Sequence, residues 1–212
     1  MKEPKPGKPL DVRPIGISTS FFRLTDKCAV KNCEDAVIRN AVGPFQCVGL
    51  RQGTKIGTLV CDVQCELIKK VPGEVIYTED VKNAFNSVNR QANVQDVLLK
   101  LPDLAYHYIN LYARPTIIDY GSRHRIYMTS GYIQGLTSSG LFYNMTKWSV
   151  QSAAKAQMLT RHSEFKISSC WEYMDDGNRT MQLKYVPDWI RCQIASHSVS
   201  TRLLFVNLYR KF

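Results

Sequence analysis

Trp171-Glu172-Tyr173-Met174-Asp175-Asp176-Gly177 is the stretch on which the reading of this chain turns. Trp171, Tyr173 and Met174 read as strand, and Asp-Asp-Gly reads as a tight turn. The segment therefore predicts a hairpin with Asp175 and Asp176 at its tip. Two adjacent carboxylates have no place inside a buried strand, because desolvating each ion costs several kcal/mol. They face water or a cation, and hard carboxylate oxygens suit Mg²⁺ or Mn²⁺. Taken alone, Asp-Asp-Gly is usually just a turn, and a metal site is the alternative that the rest of the chain has to support.

Working outward, residues 141–158 predict a helix with Leu141, Met145 and Trp148 on one face. Gly131-Tyr132-Ile133-Gln134-Gly135-Leu136-Thr137-Ser138-Ser139-Gly140 reads as a glycine-bounded loop feeding it. Small residues there would let a base pair lie against the backbone, and helix N-terminal amides suit phosphate. A plain turn with Ser139 as helix cap accounts for the same residues. Residues 116–120 and 126–130 predict a hairpin around Gly121-Ser122-Arg123-His124. Val94, Val97, Leu98 and Leu101 have helical spacing, which Pro102 stops; Leu104, Tyr108, Leu111 and Tyr112 repeat it before Pro115.

Pro72-Gly73 marks a turn, and residues 75–80 predict a strand with Ile76, Thr78 and Asp80 on one face. A carboxylate at a strand end can share a metal with one from another strand, and Asp80 is also well placed to cap a following helix. Nearer the N-terminus, residues 58–70 predict a helix and 45–57 a glycine-punctuated loop. A helix from Ser20 or Thr25 to Arg39 is ended by Gly43-Pro44, after a short strand near residues 12–17. Residues 181–212 carry no clear motif.

Composition narrows the class. The 212 residues allow one sizeable domain or two packed subdomains, and the formal net charge of +10 favours a polyanionic partner. No run of eighteen apolar residues exists, so no membrane span is expected, and the stretch 1–14 lacks the apolar core of a secretory signal. The seven cysteines do not form paired zinc-module spacings, which predicts free thiols in a reducing, intracellular compartment.

Five pieces then occur in order: Arg13-Pro14-Ile15-Gly16-Ile17, Gln46-Cys47-Val48-Gly49-Leu50-Arg51-Gln52-Gly53, Asp80-Val81-Lys82-Asn83-Ala84-Phe85-Asn86-Ser87-Val88, Gly131-Tyr132-Ile133-Gln134-Gly135 and Tyr173-Met174-Asp175-Asp176-Gly177. Over roughly residues 11–178 this series resembles the reverse transcriptases, RNA-directed DNA polymerases, and most of all those of non-LTR retrotransposons. The resemblance implies an α+β fold, a right-hand polymerase fingers–palm core whose antiparallel palm sheet is backed by helices. Residues 1–70 would be fingers-like, 71–180 the palm with its catalytic motifs, and 181–212 is unassigned, with no recognisable thumb.

By the same resemblance Asp80, Asp175 and Asp176 are the catalytic and metal-binding carboxylates, with the Val81 carbonyl as a further ligand. Two Mg²⁺ or Mn²⁺ ions would be the cofactors. Two such ions about 3.5–4 Å apart are the usual device for in-line phosphoryl transfer. Arg13 would lie on the incoming triphosphate, and Gln134 and Gly135 would position the template base and the nucleotide. Phe85 would exclude a ribose 2′-hydroxyl, although a core aromatic at a strand–helix junction is the plainer account. Lys27 and Lys31 match the triphosphate role loosely and also read as solvated helix lysines. Lys184 is a candidate for the palm lysine that follows the carboxylates in the family.

The chain departs from the pattern after Gly135, where Leu-Thr-Ser-Ser-Gly replaces the more usual Asp-Pro-Leu-Gly-Pro. The implied function is RNA-templated DNA synthesis from dNTPs onto a DNA or RNA primer, as part of a retroelement, with nuclear residence implied in turn. A thumb or further domains would come from a longer polyprotein, so the chain reads as a fragment or minimal core. The alternatives are a catalytically impaired nucleic-acid-binding remnant and an RNA-templated RNA polymerase.

Overall fold

The computed structural model describes residues 16–36, 52–81, 84–120, 124–173, 176–200 and 205–209. Its first helix, α1, spans Ser20–Asn32 and starts where the Thr19 hydroxyl accepts the Phe22 N–H. The second, α2, spans Gly53–Lys70 and so begins five residues before the expected Thr58. The expectation took Gly53 and Gly57 as loop punctuation. Both are buried, and a Cβ on Gly57 would stand 3.1 Å from the Trp171 ring, so this glycine admits the indole against the helix backbone.

Strand β1, Glu74–Asp80, follows the Pro72-Gly73 turn as predicted. A short helix α3 (Ala84–Ser87) leads to α4 (Arg90–Lys100), whose first amides are taken by the Asn89 side chain. Helix α5, Pro102–Tyr112, begins at the proline that ends the α4 pattern. Proline suits both roles, since the first helical position needs no N–H partner. Strands β2 (Thr116–Tyr120) and β3 (His124–Met128) form the expected hairpin.

Helix α6 runs Thr137–Arg161, four residues longer at its start than expected. Gly140 belongs to the helix, and Ser138, Ser139 and Gly140 are buried in its first turns. Residues 141–147 are all buried, so this half of α6 is enclosed on every side rather than one-faced. Strands β4 (Ser169–Tyr173) and β5 (Asp176–Gln182) then pair up to Tyr173↔Asp176. Asp176 and Gly177 are thus strand residues, not turn residues, and the connection is Met174-Asp175.

The stretch left unassigned by sequence completes the sheet and its backing. A 3₁₀ turn (Leu183–Tyr185) leads into α7, Val186–Ser200, and β6, Phe205–Tyr209, pairs antiparallel with β1. The four-stranded order is β4-β5-β1-β6. Strand alternation gives the sheet two different faces. Tyr77, Glu79, Arg179 and Glu172 point toward α6 and α7, while Trp171 meets Gly57 and Cys61 of α2. One core lies between the sheet and α6–α7, around Tyr77, Met158, Met181 and Trp189. A second lies among α3–α6, around Val97, Leu104, Tyr108, Tyr132 and Phe142. Among the described residues no helix is long and apolar enough to cross a membrane.

Candidate active site at the tip of the sheet

Asp80 is the exposed last residue of β1, and Asp176 is the exposed first residue of β5. The β1–β5 register runs to Glu79↔Gly177, so Asp80 and Asp176 occupy the next facing position. Facing Cα atoms on an antiparallel ladder stand about 4.5–5.5 Å apart. Alternation puts both side chains on the face away from α6. Two of the predicted carboxylates, Asp80 and Asp176, thus stand at the same end of the sheet. Asp175, Met174 and Arg13 lie outside the described residues.

Their donor chemistry fits a hard divalent cation: oxygen ligands, exposed, at the end of two strands. Among the described residues no cluster of three His, Cys, Asp or Glu side chains forms. Val81, the next residue after β1, buries its side chain in the second core.

The loop after β3 is built against the segment after β1. Gly131 donates its N–H to the Val88 carbonyl (2.8 Å), and Tyr132 donates to the Phe85 carbonyl (2.6 Å). Gly131 has φ +73°, and a Cβ there would stand 2.4 Å from the Asn86 backbone, so only glycine fits. The Arg90 guanidinium fastens the loop further, donating to the carbonyls of Gly131 (2.6 Å) and Arg114 (3.3 Å) and to the Thr116 hydroxyl. Gln134 is half-buried and Gly135 exposed, and the backbone of Gly16 lies against Ile133 and Gly135. The Arg-Pro-Ile-Gly segment therefore reaches this loop at Gly16.

Phe85 is half-buried and stacks on Tyr143, with ring centroids 5.0 Å apart and planes at 26°. It packs on the core and keeps a partly open edge, which accommodates both roles weighed for it. Lys27 and Lys31 are solvent-exposed on α1. Lys184 sits beyond Gln182, which pairs with Glu74 at the far end of the sheet, and its ammonium lies over the Tyr185 ring. It is not near the carboxylates, so it is not a palm lysine beside them.

What sequence reasoning missed lies one residue behind the tip. Glu79, Glu172, Arg179 and Lys147 are buried together. The Arg179 guanidinium pairs with Glu79 at 2.8 Å and also with Glu172. The Lys147 ammonium, from α6, lies 3.6 Å from Glu79 and 4.0 Å from Glu172, and it donates to the Asp176 carbonyl at 3.1 Å. Gln151 and Gln193 donate to the two Glu79 oxygens. Burial alone would raise the Glu79 carboxyl; the Arg179 and Lys147 charges overcome this and hold it well below the usual carboxylate range. A Cβ on Gly177 would stand 2.9 Å from the Glu79 carboxylate, so the bare glycine leaves that side chain its route across the sheet. The available signal was a lysine inside an apolar helix and charged residues beside Asp80 and Tyr173.

No family model matches the sequence, and no curated protein matches it. Solved structures do. The BmCPV RNA-dependent RNA polymerase at its elongation state superposes with a TM-score of 0.60 at 13% identity, over 91% of this chain. An RNA-dependent RNA polymerase described with vp4 and dsRNA gives 0.58 at 12%, also over 91%. The fold is an α+β polymerase core. A Candida tropicalis apo telomerase truncated from its C-terminal domain adds 0.53 at 11%, over 91% of this chain. The polymerase core spans 19% of each viral enzyme and 41% of the telomerase chain.

Proposed function

We propose that this chain is the fingers–palm part of a template-directed nucleotide polymerase and that it copies RNA into DNA. The observation that carries the reading is the β1–β5 register, which brings Asp80 and Asp176 to one end of the sheet. In this reading Asp80, Asp175, Asp176 and the Val81 carbonyl hold two Mg²⁺ or Mn²⁺ ions. When bound, such ions lower the pKa of a primer 3′-hydroxyl and stabilise the charge on the leaving pyrophosphate.

The chain's own residues do the rest. Lys147 holds the Asp176 backbone from beneath, which fixes where the carboxylates stand. Arg90 and the Phe85 and Val88 carbonyls hold the loop on which Gln134 and Gly135 would receive the template base and the nucleotide. Arg13 would reach the triphosphate from the segment that touches this loop at Gly16. The +10 net charge suits an RNA template with its primer. Residues 1–70 would be fingers and 71–180 palm, with 181–212 extending the palm. Further domains would belong to a longer retroelement polyprotein of a reducing intracellular compartment, with the nucleus as its place of action.

A second reading, RNA-templated RNA synthesis, is favoured by the viral superpositions and by the stacking of Phe85 on Tyr143, which gives that ring a packing role. Primer extension on an RNA template with dNTPs or rNTPs separates the two. The expected result is preference for dNTPs that collapses in Phe85→Val. A preference for rNTPs would select the second reading. No extension with either, alongside intact template binding, would leave the impaired remnant.

A further inference from the structure

Asp26 on α1 is completely buried, and nothing in the polymerase reading uses it. Its carboxylate accepts the Ser138 backbone N–H at 3.1 Å, in the first turn of α6. Its other oxygen meets His107 Nε2 of α5 at 2.8 Å. Helix α6 has no cap of its own, because its N-cap position is Leu136, whose side chain accepts nothing. The orphan amide of that first turn is instead taken by a carboxylate from a distant segment. A negative charge at a helix N-terminus is stabilised by the aligned peptide dipoles. Burial alone would raise this carboxyl, and the hydrogen bonds from His107 and Ser138 reverse that and hold it below its ordinary value.

The position gives the contact its meaning. Ser138 follows Gln134 and Gly135 by only a few residues, with Leu136 and Thr137 between. Helix α1 itself continues from the segment whose Gly16 lies on Ile133 and Gly135. The two strips of backbone proposed to face the nucleotide are thus joined at their bases by one carboxylate. We infer that Asp26 is a positioning residue, which locks the Gln134–Gly135 loop and α1 into a single nucleotide-facing unit. The inference rests on the polymerase reading for the word nucleotide, but the anchorage itself does not.

The test compares wild type with Asp26→Ala and Asp26→Asn; Asn keeps an oxygen acceptor for the Ser138 N–H. In Asp26→Ala the Ser138 amide is expected to exchange with solvent at least about tenfold faster, the order for loss of a charge-assisted hydrogen bond. The nucleotide KM should rise about tenfold while kcat at saturating nucleotide changes less than about threefold, the pattern of lost binding rather than lost chemistry. Asp26→Asn should recover most of both. An unchanged Ser138 exchange rate, or a fall in kcat with KM unmoved, overturns the inference. Should Asp26→Ala fail to fold, Asp26→Asn set against His107→Gln decides by the same two readouts. A wild type that incorporates no nucleotide selects the impaired remnant over the active polymerase, and Ser138 exchange then still decides whether Asp26 anchors α6.

Discussion

Asp80 and Glu79 are neighbours in sequence and opposites in environment. Asp80 is exposed at the tip of β1. Glu79 is buried one position back, held by Arg179, Lys147 and two glutamines. The same contrast recurs on β4, where Tyr173 is exposed and Glu172 is buried. The pleat of the sheet alternates the two faces, so one residue of register separates a charge available for chemistry from one that only holds structure. The difference teaches that the tip is positioned by electrostatics underneath it. A sheet end carrying several carboxylates repels itself, and a set of two acids and two bases behind it supplies a fixed anchor.

The contrast is broken most severely by Arg179→Met. Removing one partner of a buried ion pair costs about 3–5 kcal/mol, because Glu79 and Glu172 would remain buried without their main counter-charge. For a chain of this size that corresponds to a drop in Tm of roughly 6–20 °C, measured by thermal denaturation. A loss within about 0.5 kcal/mol, the range of ordinary surface substitutions, would show that the cluster is not a buried anchor.

Asp80→Asn should do the reverse. Template-directed incorporation is expected to fall at least about a hundredfold, while stability stays within about 0.5 kcal/mol, as for a surface change. Equal damage to folding and activity would place Asp80 in the structural class with Glu79.

Gly177→Ala tests the route that Glu79 takes across the sheet. The new methyl would meet the Glu79 carboxylate at 2.9 Å and its Cγ at 3.2 Å. Overpacking of this kind costs about 1–3 kcal/mol, readable as a shift in denaturant midpoint without a change in slope. A neutral substitution would mean that Glu79 has other room.

The mildest perturbation is a change of pH. The folded Glu79 carboxyl lies below its unfolded value, so its stabilisation is complete above about pH 4.3, the ordinary glutamate pKa, and is lost as pH falls toward the folded value. Midpoints for wild type and Glu79→Gln should therefore differ most at neutral pH and converge in acid, by at most about 1.4 kcal/mol per pH unit. Parallel profiles would contradict the depressed carboxyl.

The strand at Glu74–Asp80, the two helices around Pro102 and the β2–β3 hairpin were legible from local pattern, because apolar spacing and turn residues specify them without help from distant parts. The same local reasoning misplaced the starts of α2 and α6. It treated Gly53, Gly57 and Gly140 as loop signals, whereas these residues are buried within helices and Gly57 makes room for Trp171, a partner remote in sequence. It also left α7 and β6 unassigned, since α7 gains its place by packing on α6 and β6 by pairing with β1.

For the candidate site, sequence by itself named the side chains proposed to carry the chemistry: the carboxylates, the small-residue loop and Phe85 have types and an order that local physics and resemblance could both name. Only the tertiary structure decided what holds them. Lys147 beneath Asp176, Arg179 between two buried glutamates and Asp26 at the first turn of α6 act through partners far along the chain. Their charges look like ordinary surface residues until burial is known. Burial is a property of the packed fold, and it is what converts an unremarkable charge into an anchor.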